Sequence, residues 1–202
     1  MFTIVIQAGG ASQRMGRDKA LIPFLGRPLI QRVVDRVRPL ADELLVTTNQ
    51  PADYHFLGLP LFTDLYPGRG ALGGLYTALQ AAQYDWVGVV ACDMPFVSPA
   101  LLQALLQRLQ AEECGAAVPR TPHGAEPFHS VYRRSACLPA IQTALEAEKW
   151  RADAWYDAVP LCWFEEREIQ LYDPAGLAFR NVNTPEELAA AEKLALKGSQ
   201  NA

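Results

Sequence analysis

Histidine and cysteine are scarce in this chain: three and four residues out of 202. Cys92, Cys114, Cys137 and Cys162 form no C-x-x-C pair, and the histidines are scattered, so the ligand spacing of a zinc site is missing. No apolar run is long enough to span a bilayer. The start of the chain has neither the charged n-region nor the apolar h-region of a secretory leader. Those absences lead us to expect free thiols in a reducing cytoplasm. An excess of positive charge is also lacking. A net charge of −4 and a pI near 5.4 argue against a general nucleic-acid or anionic-membrane surface. The P-loop pattern GxxxxGK followed by Ser or Thr does not occur, and no Ser/His/Asp set stands out for covalent catalysis. There is no internal repeat, low-complexity tract or linker.

Apolar material is plentiful. Half of the residues are hydrophobic, enough for one sizeable core. Strand-like runs alternate with helical patterns, which predicts an α/β fold: a mostly parallel central sheet with helices on both faces. Strands are expected over Phe2 to Gln7, Glu43 to Thr48, Leu59 to Thr63 and Asp85 to Cys92. The last is the most hydrophobic and belongs at the sheet centre. Helices are expected after Pro28, over residues 70–82, from the Ser98 N-cap, over residues 135–148, and from Thr184. At that last start Pro185 and Glu187 complete a capping box. The second half is less regular, with strand-like pieces at 115–119, 128–132, 161–164 and 179–182. One domain over residues 1–197 with a frayed tail from 198 accounts for the pattern.

The chemistry gathers after the first strand. Ile4 to Gln7 runs into Ala8-Gly9-Gly10-Ala11-Ser12-Gln13-Arg14-Met15-Gly16-Arg17-Asp18-Lys19. Glycines let backbone N–H groups approach a polyanion, and Arg14, Arg17 and Lys19 neutralise it. A nucleoside triphosphate over the strand end is the ligand this predicts. Asp93 follows the central strand, and ligands of open α/β sheets bind outside the carboxyl ends of the strands. A single carboxylate there suits Mg2+, which takes one or two protein carboxylates and completes its shell with water and phosphate oxygens. Asn49 and Asp64 follow the second and third strands. They are positions from which side chains can hold a nucleoside, and equally ordinary turn residues. A competing pattern, GxGxxG over residues 68–73 with Asp93 downstream, matches a dinucleotide turn. However, Leu65-Tyr66-Pro67 separates it from its strand, and it leaves the basic loop without a role.

Together these blocks resemble the molybdenum cofactor guanylyltransferases, the MobA-like family of the wider nucleotidyltransferase superfamily. The resemblance runs through residues 8–20, Gly26-Arg27-Pro28-Leu29, Thr63-Asp64 before Pro67-Gly68, Cys92-Asp93-Met94-Pro95-Phe96 and Asn181-Val182-Asn183-Thr184-Pro185, in the family's order. It implies a Rossmann-like nucleotidyltransferase fold and transfer of GMP from GTP to the terminal phosphate of molybdopterin, with release of pyrophosphate. By the same resemblance Gln7, Ala8, Gly9 and Gly10 meet the nucleotide through the strand-end backbone. Arg14 and Lys19 act on the phosphates, Asn49 and Asp64 hold the nucleoside, and Asp93 binds Mg2+. Asn181, Asn183 and the Glu126-Pro127 loop with Tyr132 fall on the pterin side. The chain departs from the pattern at Gln7, where leucine is usual, and at Ala71 and Gly73. The implied partners are GTP, molybdopterin and, transiently, molybdoenzyme assembly proteins; no nucleic acid or membrane is implied. Rival readings are a cytidylyltransferase acting on the same pterin, a sugar-phosphate nucleotidyltransferase, and a silent nucleotide-binding protein that delivers the cofactor.

Overall fold

In chain order the strands are β1 (Phe2–Gln7), β2 (Pro23–Phe24), β3 (Arg27–Pro28), β4 (Glu43–Thr47), β5 (Leu61–Phe62), β6 (Trp86–Ala91), β7 (Ala116–Thr121), β8 (Gly124–Ala125), β9 (His129–Arg133) and β10 (Leu161–Phe164). The helices are α1 (Leu29–Val37), α2 (Gly70–Ala81), α3 (Pro99–Ala111), α4 (Arg134–Glu146), α5 (Glu166–Tyr172) and α6 (Pro185–Ser199). The computed structural model describes residues 1–9 and 18–199. Gly10, Arg14 and Arg17 therefore lie outside the described residues, as do residues 200–202.

The main sheet runs β10-β7-β9-β6-β1-β4-β5, with β8 paired to β7. Pairs β1–β4, β1–β6, β4–β5 and β7–β10 are parallel, while β9 is antiparallel to both β6 and β7. Side chains alternate across a strand, so β1 feeds two cores. Phe2, Ile4 and Ile6 join the layer under α1 and α3; Val5 joins the layer under α2 and α4. Gly88 in β6 is required by that packing: a Cβ there would come 2.7 Å from the Phe2 ring.

A third cluster fastens α6 to the β2–β3 hairpin through Phe24, Leu29, Phe96, Val182, Ala191 and Ala195. The expected capping box is present at its start. The Glu187 N–H donates to Thr184 Oγ1 at 3.2 Å, and the Thr184 N–H donates to Glu187 Oε2 at 3.1 Å. The helix continues to Ser199, one residue beyond the expected onset of fraying at 198.

Two expectations are corrected. Residues 179–182 do not form a strand, because their backbone is fastened elsewhere. Asp173 accepts from Leu177 N and Ala178 N at 3.1 and 2.8 Å, and Val182 N donates to the Asp93 carbonyl at 2.9 Å. The segment is a strap over the sheet end. Nor are all four thiols free. Cys114 and Cys162, 48 residues apart in sequence, form a disulfide with Cα atoms 6.0 Å apart, leaving Cys92 and Cys137 free. Parallel pairing of β7 with β10 (Ala116 opposite Leu161) is what brings the two cysteines together. No described helix is long and apolar enough to cross a membrane.

Candidate active site

The carboxyl ends of β4, β1 and β6 lie side by side, and short bonds keep them level beyond the ladder. Ala8 N donates to the Thr47 carbonyl at 2.8 Å, and Cys92 N to the Gln7 carbonyl at 3.0 Å. Asp18 then starts a single 3-10 turn over Lys19–Leu21. Its Oδ1 accepts from Ala20 N at 3.0 Å, and its Oδ2 accepts from the hydroxyl of the fully buried Tyr54 at 2.5 Å. That double anchor fixes the residue before Lys19, whose Nζ donates to Asn183 Oδ1 at 2.6 Å.

Asp93 joins this group from β6. Its carbonyl holds Val182 in the strap, so Asn183 is brought over the sheet end beside it. Glu187 Oε2 accepts from the Asn183 N–H at 2.6 Å, which ties the strap to the start of α6. Burial raises the Asp93 carboxyl above the usual aspartate range; the Lys19 charge and its own backbone N–H pull it down, and Glu187 adds to the rise. Asn183 accepts from Lys19 and stands one residue after Val182, which Asp93 holds, so the lysine charge is brought to the carboxylate's side of the sheet end. Lys19, Asp93 and Asn183 thus converge, although the chain separates them widely. Asn181 is exposed on the same strap.

The donor set of this group can be tested against Mg2+. Among the described residues, one grouping of three His, Cys, Asp or Glu donors is compact enough to hold a metal: Glu112, Cys114 and Cys162. The disulfide already uses both of its sulfurs. Asp93 belongs to no such group of three and stands near both Lys19 and Glu187. This fits a cation that completes its shell with phosphate oxygens and water, and does not fit a cation caged by protein alone.

On the other side of β1, a narrow cleft is lined by Gln7, Gly9, Asn49, Asp64, Gly74 and Thr77 among others. Asn49 Oδ1 accepts from Asp64 N at 3.2 Å. Asp64 Oδ1 is 3.0 Å from Tyr66 N and 2.9 Å from Thr77 Oγ1, both donors to it. Asn49 and Asp64 are therefore one hydrogen-bonded unit. Gly74 of α2 faces this cleft: a Cβ there would come 2.9 Å from Nε2 at the movable end of Gln7. Neither Thr77 nor Gly74 stood out in the sequence, since a helical threonine and one more glycine carry no local signal.

Glu126 lies apart from both groups, in a larger cleft of about 460 Å³ between the 121–126 turn, α5 and the strap. Burial raises its carboxyl, while the Thr121 hydroxyl, donating to Oε1 at 3.2 Å, lowers it. Tyr132 donates to the Pro127 carbonyl at 2.6 Å, which braces the loop. Phe179 and Arg180 line the same cleft, and reading 179–182 as a strand concealed them.

The family model described as the MobA-like NTP transferase domain matches residues 4–159. A protein of Desulfosudis oleivorans named molybdenum cofactor guanylyltransferase is 34% identical over 191 residues, covering 94% of each chain. One from Pelotomaculum thermopropionicum, named a probable molybdenum cofactor guanylyltransferase, is 35% identical over 193 residues, 96% of this chain and 93% of its own. Among solved structures, molybdopterin-guanine dinucleotide biosynthesis protein A from Archaeoglobus fulgidus superposes with a TM-score of 0.83 over 96% of this chain and 99% of its own. At 24% identity it speaks for the fold alone. With that domain matched over most of the chain and two relatives above 30% identity spanning nearly all of it, the protein belongs to the MobA-like nucleotidyltransferase family.

Proposed function

We propose that the protein transfers GMP from GTP to the terminal phosphate of molybdopterin, giving molybdopterin guanine dinucleotide and pyrophosphate. The observation that carries this reading is the hydrogen bond from Lys19 Nζ to Asn183 Oδ1 beside Asp93. It gathers a cation, a carboxylate and a neutral amide at the carboxyl end of three parallel strands, where phosphates are received. The relatives' names supply the donor and acceptor classes.

An oxygen of the acceptor phosphate attacks the α-phosphorus, the bond to the β-phosphate oxygen breaks, and pyrophosphate leaves with the electron pair. No covalent enzyme intermediate is needed, so positioning and charge carry the catalysis. Lys19, held by the Asp18–Tyr54 anchor, neutralises charge growing on the leaving group. Arg14 would join it from the loop outside the described residues. Gln7, Ala8, Gly9 and Gly10 would follow the nucleotide along the strand end, with Asn49 and Asp64 holding the nucleoside. Asn183, once released by Lys19, would meet the acceptor phosphate together with Asn181. Asp93 would hold Mg2+, which supplies charge neutralisation on phosphate oxygens when bound.

A cytoplasmic site of action, and transient contact with molybdoenzyme assembly proteins, belong to the same proposal. The test is pyrophosphate release by the purified protein with molybdopterin, Mg2+ and each of GTP, CTP, ATP and UTP. We expect release with GTP; release with CTP or UTP instead would overturn the guanine assignment, and none with any nucleotide would leave only a binding protein.

A further inference from the structure

Glu112, Cys114 and Cys162 meet where α3 ends against the edge of the sheet, and their donor atoms lie within 4.8 Å of one another. No C-x-x-C spacing announces the group, because two separate elements deliver it. Glu112 is the C-cap of α3, and the Cys114 N–H donates back to the Glu112 carbonyl at 2.9 Å, so one tight turn carries two donors. Parallel pairing of β7 with β10 brings the third, with Cys162 opposite Ala117.

The carboxylate is placed for more than a disulfide. Glu112 Oε2 lies 3.1 Å from Cys162 Sγ, a sulfur that has no proton to give while it is bonded to Cys114. In the bridged state its lone pairs therefore face the sulfur's lone pairs. The other oxygen is fixed from behind: Arg108 Nε, one turn back on α3, lies 3.2 Å from Glu112 Oε1, and Arg108 Nη2 lies 2.6 Å from Glu168 Oε1. Metal-ligating carboxylates typically have such an outer hydrogen-bonding support. The charges agree as well. Two thiolates and a carboxylate around a divalent cation leave one negative charge, which Arg108 offsets. The C-terminal end of a 13-residue helix also favours a cation. Two sulfurs bound to Zn2+ at about 2.3 Å each stand roughly 3.8 Å apart at the tetrahedral angle. Cα atoms 6.0 Å apart permit that separation by rotation of the two side chains, once the bond is broken. Both cysteines are buried, whereas the Glu112 side chain is half exposed, so a cation enters from the glutamate side.

We propose that the reduced pair is a binding site for a zinc-class divalent cation, with Cys114 and Cys162 as thiolates, Glu112 as third ligand and water as the fourth. A dithiol reductant supplies two electrons and two protons: the Sγ–Sγ bond breaks, two thiols form, and the reductant is left as its own disulfide. The cation then displaces both thiol protons to solvent. Bond and cation exclude each other, and β10 is tied to the end of α3 in either state. The inference is independent of the guanylyl-transfer reading and of Mg2+ at Asp93. The test uses the full chain, stripped by a chelator, both as the disulfide and after reduction by a phosphine that is then removed without air. Cd2+ is the probe, because thiolate ligands give it an ultraviolet charge-transfer band, and Zn2+ is the competitor. The reduced protein should bind a single Cd2+ with that band and lose the band to Zn2+. Added Zn2+ should also restore part of the Tm lost on reduction. The disulfide form should show no band. Cys92→Ser and Cys137→Ser should keep it, and Cys114→Ser and Cys162→Ser should lose it. Glu112→Gln, an exposed change at a helix end, should keep the band and weaken Cd2+ by about 10- to 100-fold, the scale of one charged contact. No band on the reduced chain, a band on the disulfide form, a band that follows Cys92 or Cys137, or an affinity indifferent to Glu112→Gln overturns the assignment.

Discussion

Lys19 and Asp93 show how much of a charged pair's behaviour is set by neighbours. Asp18 and Tyr54 hold the turn that carries Lys19, so Lys19→Ala removes a charge without removing the turn. Loss of such a preorganised contact costs about 10²–10³ in rate. We expect that loss in kcat for Lys19→Ala and for Asp93→Asn, with unchanged circular dichroism; turnover within a few-fold of wild type would remove these roles. Asp93 also makes a stability prediction. Its folded pKa is raised by burial, so between the ordinary value of 3.8 and that raised value the folded state holds a proton that the unfolded state has lost. Stability contributed by this group therefore falls as pH rises through that window. Asp93→Asn should raise Tm of the nucleotide-free protein at pH 7, an advantage that shrinks toward pH 4. A lower Tm at neutral pH would show that the Lys19 attraction outweighs desolvation. Gly74→Ala tests the other cleft. The added methyl meets the movable end of Gln7, so the fold should persist while KM for GTP rises, measured at saturating acceptor.

At the scale of elements, β9 carries a titrating group into the core. His129 is fully buried opposite Val90, neither ring nitrogen has a hydrogen-bond partner in good geometry, and burial pushes its pKa down to about 4. The unfolded chain takes up this proton near pH 6.5 and the folded one does not. The stability is therefore complete above pH 6.5 and is lost as pH falls toward 4, by about 3 kcal/mol at most. His129→Leu should flatten that part of the urea-unfolding pH profile; an unchanged slope would mean the loss arises elsewhere. The elements themselves were unevenly legible from the sequence. β1, β6 and α6 were readable because their signals are local: an apolar run, or a capping box with proline. Helix α5 was not, since it is short and is capped by Glu165 with Glu168 instead of serine or threonine. The strap was misread because Phe179 and Val182 are apolar, as a strand would be, while its hydrogen bonds go to Asp173 and Asp93. In the site, Lys19, Asp93 and the asparagines were legible through motif order. Thr77, Gly74 and Phe179 were not, because their roles depend on what the fold sets opposite them.

Over the whole molecule, the two halves of the sheet are secured differently. β1, β4 and β6 are central and need no external tie, whereas β10 is a four-residue edge strand. It is held by the Cys114–Cys162 disulfide and by Arg120, whose guanidinium lies 3.8 Å from the Trp163 ring centroid and 3.3 Å from Glu165. β10 leads directly into α5, one wall of the large cleft, so the tie supports that cleft's wall. Closing 48 residues of sequence restricts the unfolded chain by about 4 kcal/mol in the chain-entropy treatment. For a chain of this size, that corresponds to roughly 8–16 °C in Tm. Alkylation of the denatured, unreduced protein should label two cysteines, Cys92 and Cys137. Labelling of all four would show that the pair is open in the purified protein. Reduction should lower Tm by the stated amount without unfolding the chain at 25 °C, because Cys114 and Cys162 stay within the apolar core beside Leu109 and Phe164. A Tm unmoved by reduction would show that the edge strand does not depend on the bond and that edge and centre of the sheet are not secured differently.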